Sequence, residues 1–175
     1  MPSWTAILID GAVLSSALGV VILGSLAYNS RLWLNDAPRR VRELSPSLTP
    51  RERRERNVVA AIFLVTIVGA TIWSSDRLLA RHGEMLSFAN ALAHFLGVFF
   101  LFNVFDLLVI DYLVLLVLRP AFLARLAVAG LTYEETVGGY GYHFAAFIKG
   151  MAFIVTFSLL AAGLSIWAMR SISRL

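Results

Sequence analysis

The chain has 175 residues, of which 59% are hydrophobic, 15% charged and 12% aromatic, with a net charge of +4 and no cysteine. A soluble domain carries about 25% charged residues and a disordered chain is poor in aromatics, so neither class fits. Without cysteine there is no disulfide framework, thiolate metal site, iron–sulfur cluster or cysteine nucleophile. The basic residues flank apolar stretches, where topology and anionic lipid account for them, so no nucleic-acid partner is expected.

Crossing about 30 Å of hydrocarbon takes about 20 apolar residues in a helix. Four stretches qualify, at about 6–28, 58–75, 86–118 and 144–169. They define residues 1–175 as one transmembrane domain, an all-α, polytopic four-helix bundle with long loops at 29–57 and 119–143. The first stretch reads as an uncleaved span, since it has no basic leader, carries Asp10 and stays apolar too long for a signal peptide. Gly11, Ser15 and Gly19 recur every four residues along it and form a close-approach face. That face serves either the bundle or a second subunit.

The first loop holds Arg31, Arg39, Arg40, Arg42, Arg51, Arg53, Arg54 and Arg56. Trp33, Leu34, Val41 and Leu44 alternate with the first four of these, a pattern suited to a short interfacial helix on an anionic leaflet. Thr49-Pro50-Arg51-Glu52 is a helix-start signature, with Thr as cap, Pro at the first helical position and Glu three residues on. The second helix therefore begins near Pro50, and Arg39, Arg40, Arg42, Arg51, Arg53, Arg54 and Arg56 are expected at the lipid headgroups.

The third stretch, 33 residues long, would measure roughly 50 Å as an α-helix. It must tilt, project or break, and Gly97 or the polar cluster around Asn103 is the expected place. Arg119-Pro120 ends it, Ala121–Ala129 reads as a short amphipathic helix closed by Gly130, and Thr132 with Glu135 repeats the capping signature. The run Tyr140-Gly141-Tyr142-His143-Phe144 marks a membrane interface. Of the fifteen Lys and Arg, eight lie in the first loop and Arg119, Arg125 and Lys149 share its side, whereas Arg77, Arg81, Arg170 and Arg174 lie opposite. The positive-inside rule then places both termini outside (N-out, C-out) and both long loops in the cytoplasm.

An ionisable group in the bilayer costs about 2.5–3.5 kcal/mol on insertion scales, so each needs a partner or a purpose. Asp106 and Asp111 diverge by roughly 140° on a straight α-helix, which assigns them separate roles. Matching depths on facing spans pairs Asp111 with Lys149, or otherwise with His143, and gives Asp106 hydrogen bonds from Thr156, Thr66 or Asn103. At the outer end, Asn90 and His94 share a face within reach of Asp10. No cofactor is expected; a haem or metal between His82 and His94 is the alternative, because those two histidines share one end of the bundle.

Three patches, Asn29-Ser30-Arg31-Leu32-Trp33-Leu34-Asn35-Asp36-Ala37-Pro38, Phe105-Asp106 through Asp111, and Gly141-Tyr142-His143-Phe144 with Phe147-Ile148-Lys149-Gly150, resemble parts of small bacterial integral membrane proteins with four spans. The resemblance covers the two loops and adjoining helix ends and implies a place in the bacterial cytoplasmic (inner) membrane. It brings no activity and no catalytic residue with it. The leading functional expectation is a non-catalytic accessory, assembly or scaffold subunit of a membrane complex, in contact with anionic lipid and with copies of itself or other membrane subunits. The alternatives are a small proton, ion or solute transport protein using Asp106, and a lipid- or quinone-directed enzyme at the cytoplasmic interface.

Overall fold

The computed structural model describes residues 3–172, which are mostly helical with no strand among them; Arg174 lies outside that range. Four segments are long and apolar enough to cross a membrane: Trp4–Asp36, Pro50–His82, Phe88–Leu118 and Tyr133–Ser171. The chain is an all-α, multi-pass membrane protein.

Helix α1 (Trp4–Asn29) is capped by the Ser3 hydroxyl and runs into a 3-10 turn, Ser30–Asp36. A short α2 (Arg39–Leu44) follows, then α3 (Pro50–His82). The capping box at Thr49 and Glu52 is formed, with Glu52 reaching back to the Thr49 amide at 2.8 Å. This cap extends α3 two turns ahead of its apolar stretch, and Gly83, at φ 52°, stops it. Hydropathy marks only the middle of the helix, whereas capping chemistry sets its ends. Ser87 caps α4 (Phe88–Phe105), Thr132 and Glu135 form a second capping box at α5 (Tyr133–Val137), and α6 (Tyr140–Ile172) completes the bundle.

Half of the most apolar window of α1 is buried, against 6% of that of α3, so α1 is the inner helix and α3 an outer one. Small residues explain how α1 gets there. A β-carbon on Gly11 would stand 2.7 Å from Leu101 Cδ1, and one on Gly19 3.1 Å from Phe105 Cε1. Gly97 on α4 receives Ile7 of α1 in the same way. Where lipid tails are as apolar as leucine, such close approach is what selects a neighbouring helix. Helix α3 meets α6 near the chain termini, where the Ser75 and Ser165 hydroxyls bond, and the two part further along.

The third span does not break at Gly97. It changes winding three residues beyond Asn103: from Asp106 to Leu118 it is a π-helix, closed by the Arg119 amide donating to the Val114 carbonyl five residues back at 3.1 Å. π-Helices are rare, mostly single turns, and frequently mark functional sites. Arg119, at φ 48° and ψ 57°, is the left-handed residue that ends this one before Pro120.

The two long loops fold on one another rather than lying apart. Leu34, Ala37 and Val41 of the first loop and Leu123, Leu126 and Val137 of the second share one buried cluster with Ile110 of the π-helix. Arg40 pairs with Glu135 at 2.9 Å, the Ser30 hydroxyl donates to the Phe122 carbonyl at 3.1 Å, and the Tyr142 hydroxyl donates to the Asp36 carbonyl at 2.6 Å. The alternating residues of the first loop thus divide: Val41 and Leu34 are buried in this cap and Leu44 is exposed. The expected Ala121–Ala129 helix is shorter, a 3-10 turn over Ala121–Leu126.

Filling the α1–α4 seam tests this packing. Gly11→Val is expected to cost about 1–3 kcal/mol through overpacking. Gly24→Ala, where an added β-carbon meets nothing within 4 Å, should be neutral or gain up to about 1 kcal/mol of helix propensity. Thermal melting in detergent reads both.

Candidate functional site

π-Winding changes which residues share a face. With hydrogen bonds spanning five residues, positions five apart lie over one another, as positions four apart do on an α-helix. Asp106 and Asp111 are therefore on one side of the third span, not 140° apart as on a straight α-helix, and both line a single cavity of about 420 Å³ at the loop end. Ile110 and Leu115, also five apart, line it as well. Its remaining polar lining is Trp33, Asn35, Asp36, Thr136, Tyr142 and His143, with Phe63 and Phe102 on its deeper side.

Of the two partners expected for Asp111, the structure supplies His143. Its Nδ1 lies 3.1 Å from Asp111 Oδ1, and both side chains are largely buried, at 7% and 17% exposed. Lys149 instead is exposed and pairs with no carboxylate among the described residues. With Nδ1–H donating to Asp111, the neutral imidazole carries its lone pair on Nε2. That Nε2 is buried and has no hydrogen-bond partner. A buried polar atom of this kind calls for a ligand, a water or a proton.

Asp106 receives none of the hydrogen bonds expected for it. Thr66 and Thr156 turn their hydroxyls back to the carbonyls of Ile62 and Ala152 on their own helices, at 2.8 and 3.0 Å, a common outlet for threonine inside a span. Asn103 bridges to α6, donating to the Phe147 carbonyl at 3.1 Å across Gly150, where a side chain would collide with its amide. Asp106 is left as the deepest polar group of the cavity along the third span, with no hydrogen-bond donor among the described residues.

A second polar cluster closes the opposite end of the bundle. Asp10 and His94 meet there, together with two residues that sequence reasoning did not single out, Ser74 and Arg77. Asp10 Oδ2 accepts from the Ser74 hydroxyl at 2.7 Å and lies 3.2 Å from His94 Nε2, while Oδ1 takes Arg77 Nη1 at 2.7 Å. Ser74 donates to Asp10, so its oxygen accepts from His94 Nε2 at 2.9 Å, which fixes the imidazole proton on Nε2. Arg77 also stacks over Trp73 at 4.5 Å. In the sequence, Arg77 counts only as a flanking charge, and Ser74 is one hydroxyl in an apolar run. Asn90 is not part of this cluster: its backbone amide donates to the Ser87 hydroxyl at the helix cap.

The other candidates are dispersed. His82 faces the Leu78 carbonyl at 3.1 Å, His94 is engaged by Asp10 and Ser74, and among the described residues no three His, Asp or Glu side chains are grouped to hold a metal ion. In the arginine set, Arg39, Arg40 and Arg51 pair with Glu43, Glu135 and Glu55. Arg42, Arg53, Arg54 and Arg56 pair with no carboxylate; Arg42 bonds the Asn35 carbonyl and Arg53 the Leu48 carbonyl. The chain matches no protein-family model, no curated protein and no solved structure.

Two measurements check the two clusters. In a chain with no native cysteine, Asp106→Cys and Asp111→Cys are both expected to react with a water-soluble thiol reagent at comparable rates, because they line one cavity. Leu108→Cys, 53% exposed on the outer face of the same segment, should stay unlabelled, since a thiol in lipid does not ionise. If only one aspartate position labels, the π-winding is wrong. At the other end, Asp10→Ala strands Arg77 and His94 and should cost about 3–5 kcal/mol, whereas Arg39→Ala, which breaks only an exposed pair, should leave the melting temperature unchanged.

Proposed function

We propose that the protein is a small transport protein of the bacterial cytoplasmic membrane, oriented with both termini outside, whose substrate or proton loads at the cavity among Asp106, Asp111 and His143. The observation that carries this reading is Asp106 itself, a carboxylate deep in a span, on the same face as the Asp111–His143 pair, with no donor from the protein. An intramembrane acid without a partner is a site for a proton or a cation by default. The two ends of the bundle differ as transport requires. The loop end is hollow, whereas the other end is shut by the Asp10 cluster and, below it, by Leu14, Leu18, Phe95, Val98 and Phe99. This is the arrangement of a site reached from one side at a time.

The accessory-subunit expectation draws on the lack of a convergent catalytic set and on the small-residue faces, and on α1 Gly11 and Gly19 are met inside the bundle by Leu101 and Phe105. An enzyme reading would use the Asp111–His143 pair as its base.

Proteoliposomes carrying a potassium gradient, valinomycin and an internal pH dye test the proposal. The wild-type chain is expected to admit protons faster than protein-free vesicles, and Asp106→Asn to fall to the protein-free rate with its melting temperature preserved. Equal rates for Asp106→Asn and wild type, or no flux from wild type, would overturn it.

A further inference from the structure

A second hollow adjoins the loop-end cavity. Where α3 and α6 part, a crevice of about 200 Å³ opens between them, lined by Phe63 and Ile67 of α3, Phe99 and Phe102 of α4, and Phe153 and Phe157 of α6. Phe63 and Phe102 line both spaces, so two aromatic rings are all that the two linings share. One side of this pair is polar and acidic, and the other is aromatic and faces the bilayer.

The charges choose the occupant. The larger cavity has three carboxylates in its lining, Asp36, Asp106 and Asp111, together with one imidazole and no Arg or Lys. A phosphate or carboxylate headgroup would meet like charge there without a cation to receive it. At the rim, Arg42 bonds the carbonyl of Asn35, a residue of the lining. A cation approaching from water past Asn35 meets that guanidinium. The crevice has no charged residue in its lining, which consists of five phenylalanines with Ile67, Ile154, Gly150 and the Asn103 amide; aromatic rings attract a desolvated cation rather than repel it. The buried Nε2 of His143 supplies a further unpartnered acceptor at the polar side.

We infer that the substrate is an amphipathic organic cation that enters sideways from the bilayer, passes its apolar part along the crevice between α3 and α6, and places its positive centre against Asp106 beyond Phe63 and Phe102. The inference deepens the transport reading by naming the substrate class of the same site. Combined, the two spaces fall within the range of sites for drug-sized ligands.

Tetraphenylphosphonium and tetraphenylborate, equal in shape and opposite in charge, are the probes, with binding to the purified full chain in detergent measured by equilibrium dialysis. Saturable binding of tetraphenylphosphonium, with tetraphenylborate weaker by about tenfold or more, is expected from a site of one sign. Asp106→Asn should lose about tenfold in affinity for the cation, and Asp106→Glu, which restores the carboxylate, should recover it. Phe63→Leu with Phe102→Leu, which removes the rings but keeps most of the apolar volume where both side chains pack against the core, should weaken the cation. Equal binding of the two probes, or full binding by Asp106→Asn, would mean partition into an apolar crevice and would overturn the inference. Proton flux that depends on Asp106 without cation binding would leave transport standing and remove this substrate class. Cation binding that depends on Asp106 without any flux would keep the site and remove transport.

Discussion

Every backbone amide in a bilayer needs an acceptor within the chain, and the third span meets that requirement in two different ways along its length. As far as Phe105 the bonds are α-helical; from Asp106 to Leu118 they reach one residue further. No bond is lost, but each turn holds more residues and the side chains are redistributed around the axis. The site follows from that redistribution. Two carboxylates that an α-helix would send to different neighbours are brought to one face, opposite His143 of α6. Ile110 and Leu115 come with them to form the apolar walls. The widened segment also takes up part of the excess length of a span too long for the hydrocarbon, so the same feature that accommodates the chain to the bilayer also builds the cavity.

The remaining helices hold this segment in place from two directions. Helix α1, drawn close to α4 through Gly11, Gly19 and Gly97, supplies the rigid side. The loop cap supplies the other, because Arg40–Glu135, Ser30–Phe122 and Tyr142–Asp36 tie the two long connections across the end of the bundle. Helix α3 is the least buried member, leaning mainly on α1 and joined to α6 by the Ser75–Ser165 hydroxyl bond. A bundle assembled this way has one side that can part without exposing backbone, and the crevice lies on that side.

Much of this was legible in the sequence, for identifiable reasons. The four spans follow from apolar length alone, and the start of α3 and the turn at α5 follow from Thr-x-x-Glu, since local capping chemistry does not depend on the rest of the fold. Helical spacing puts Asn90 and His94 on one face at the outer end within reach of Asp10, and the depth argument names His143 as the second choice for Asp111. Three things were not legible. Helical angles were counted on α-geometry, and nothing in Asp106–Leu118 announces a different winding, so the two aspartates were assigned to separate faces. Lys149 was preferred to His143 because a depth count along α6 does not say which way a side chain points. The fold of one loop onto the other joins residues about 95 apart in the chain, as in Arg40–Glu135, and no periodicity reports such a pairing.

The intramembrane acids differ in how their cost is met, and that difference locates function more firmly than the cavity volume does. Asp10 has three partners, Ser74, His94 and Arg77, and its carboxylate is fully engaged; it holds α1, α3 and α4 in register. Asp111 has one, His143, whose Nε2 is without a partner, as is Nδ1 of His94 beside Asp10. Asp106 has none among the described residues. Removing a carboxylate that serves the fold through buried partners, as Asp10 does, strands those partners at a cost of about 3–5 kcal/mol, whereas Asp106 has no such partner to strand. Along the third span the number of partners falls from the loop end inward, from Asp111 to Asp106, while the surroundings become more apolar, toward Phe102 and Phe63. A purely structural acid would show the reverse order, because the cost of leaving it unpartnered rises with depth. That order is what the proposed path for a positive charge requires, with each step inward exchanging protein partners for one that the protein does not provide.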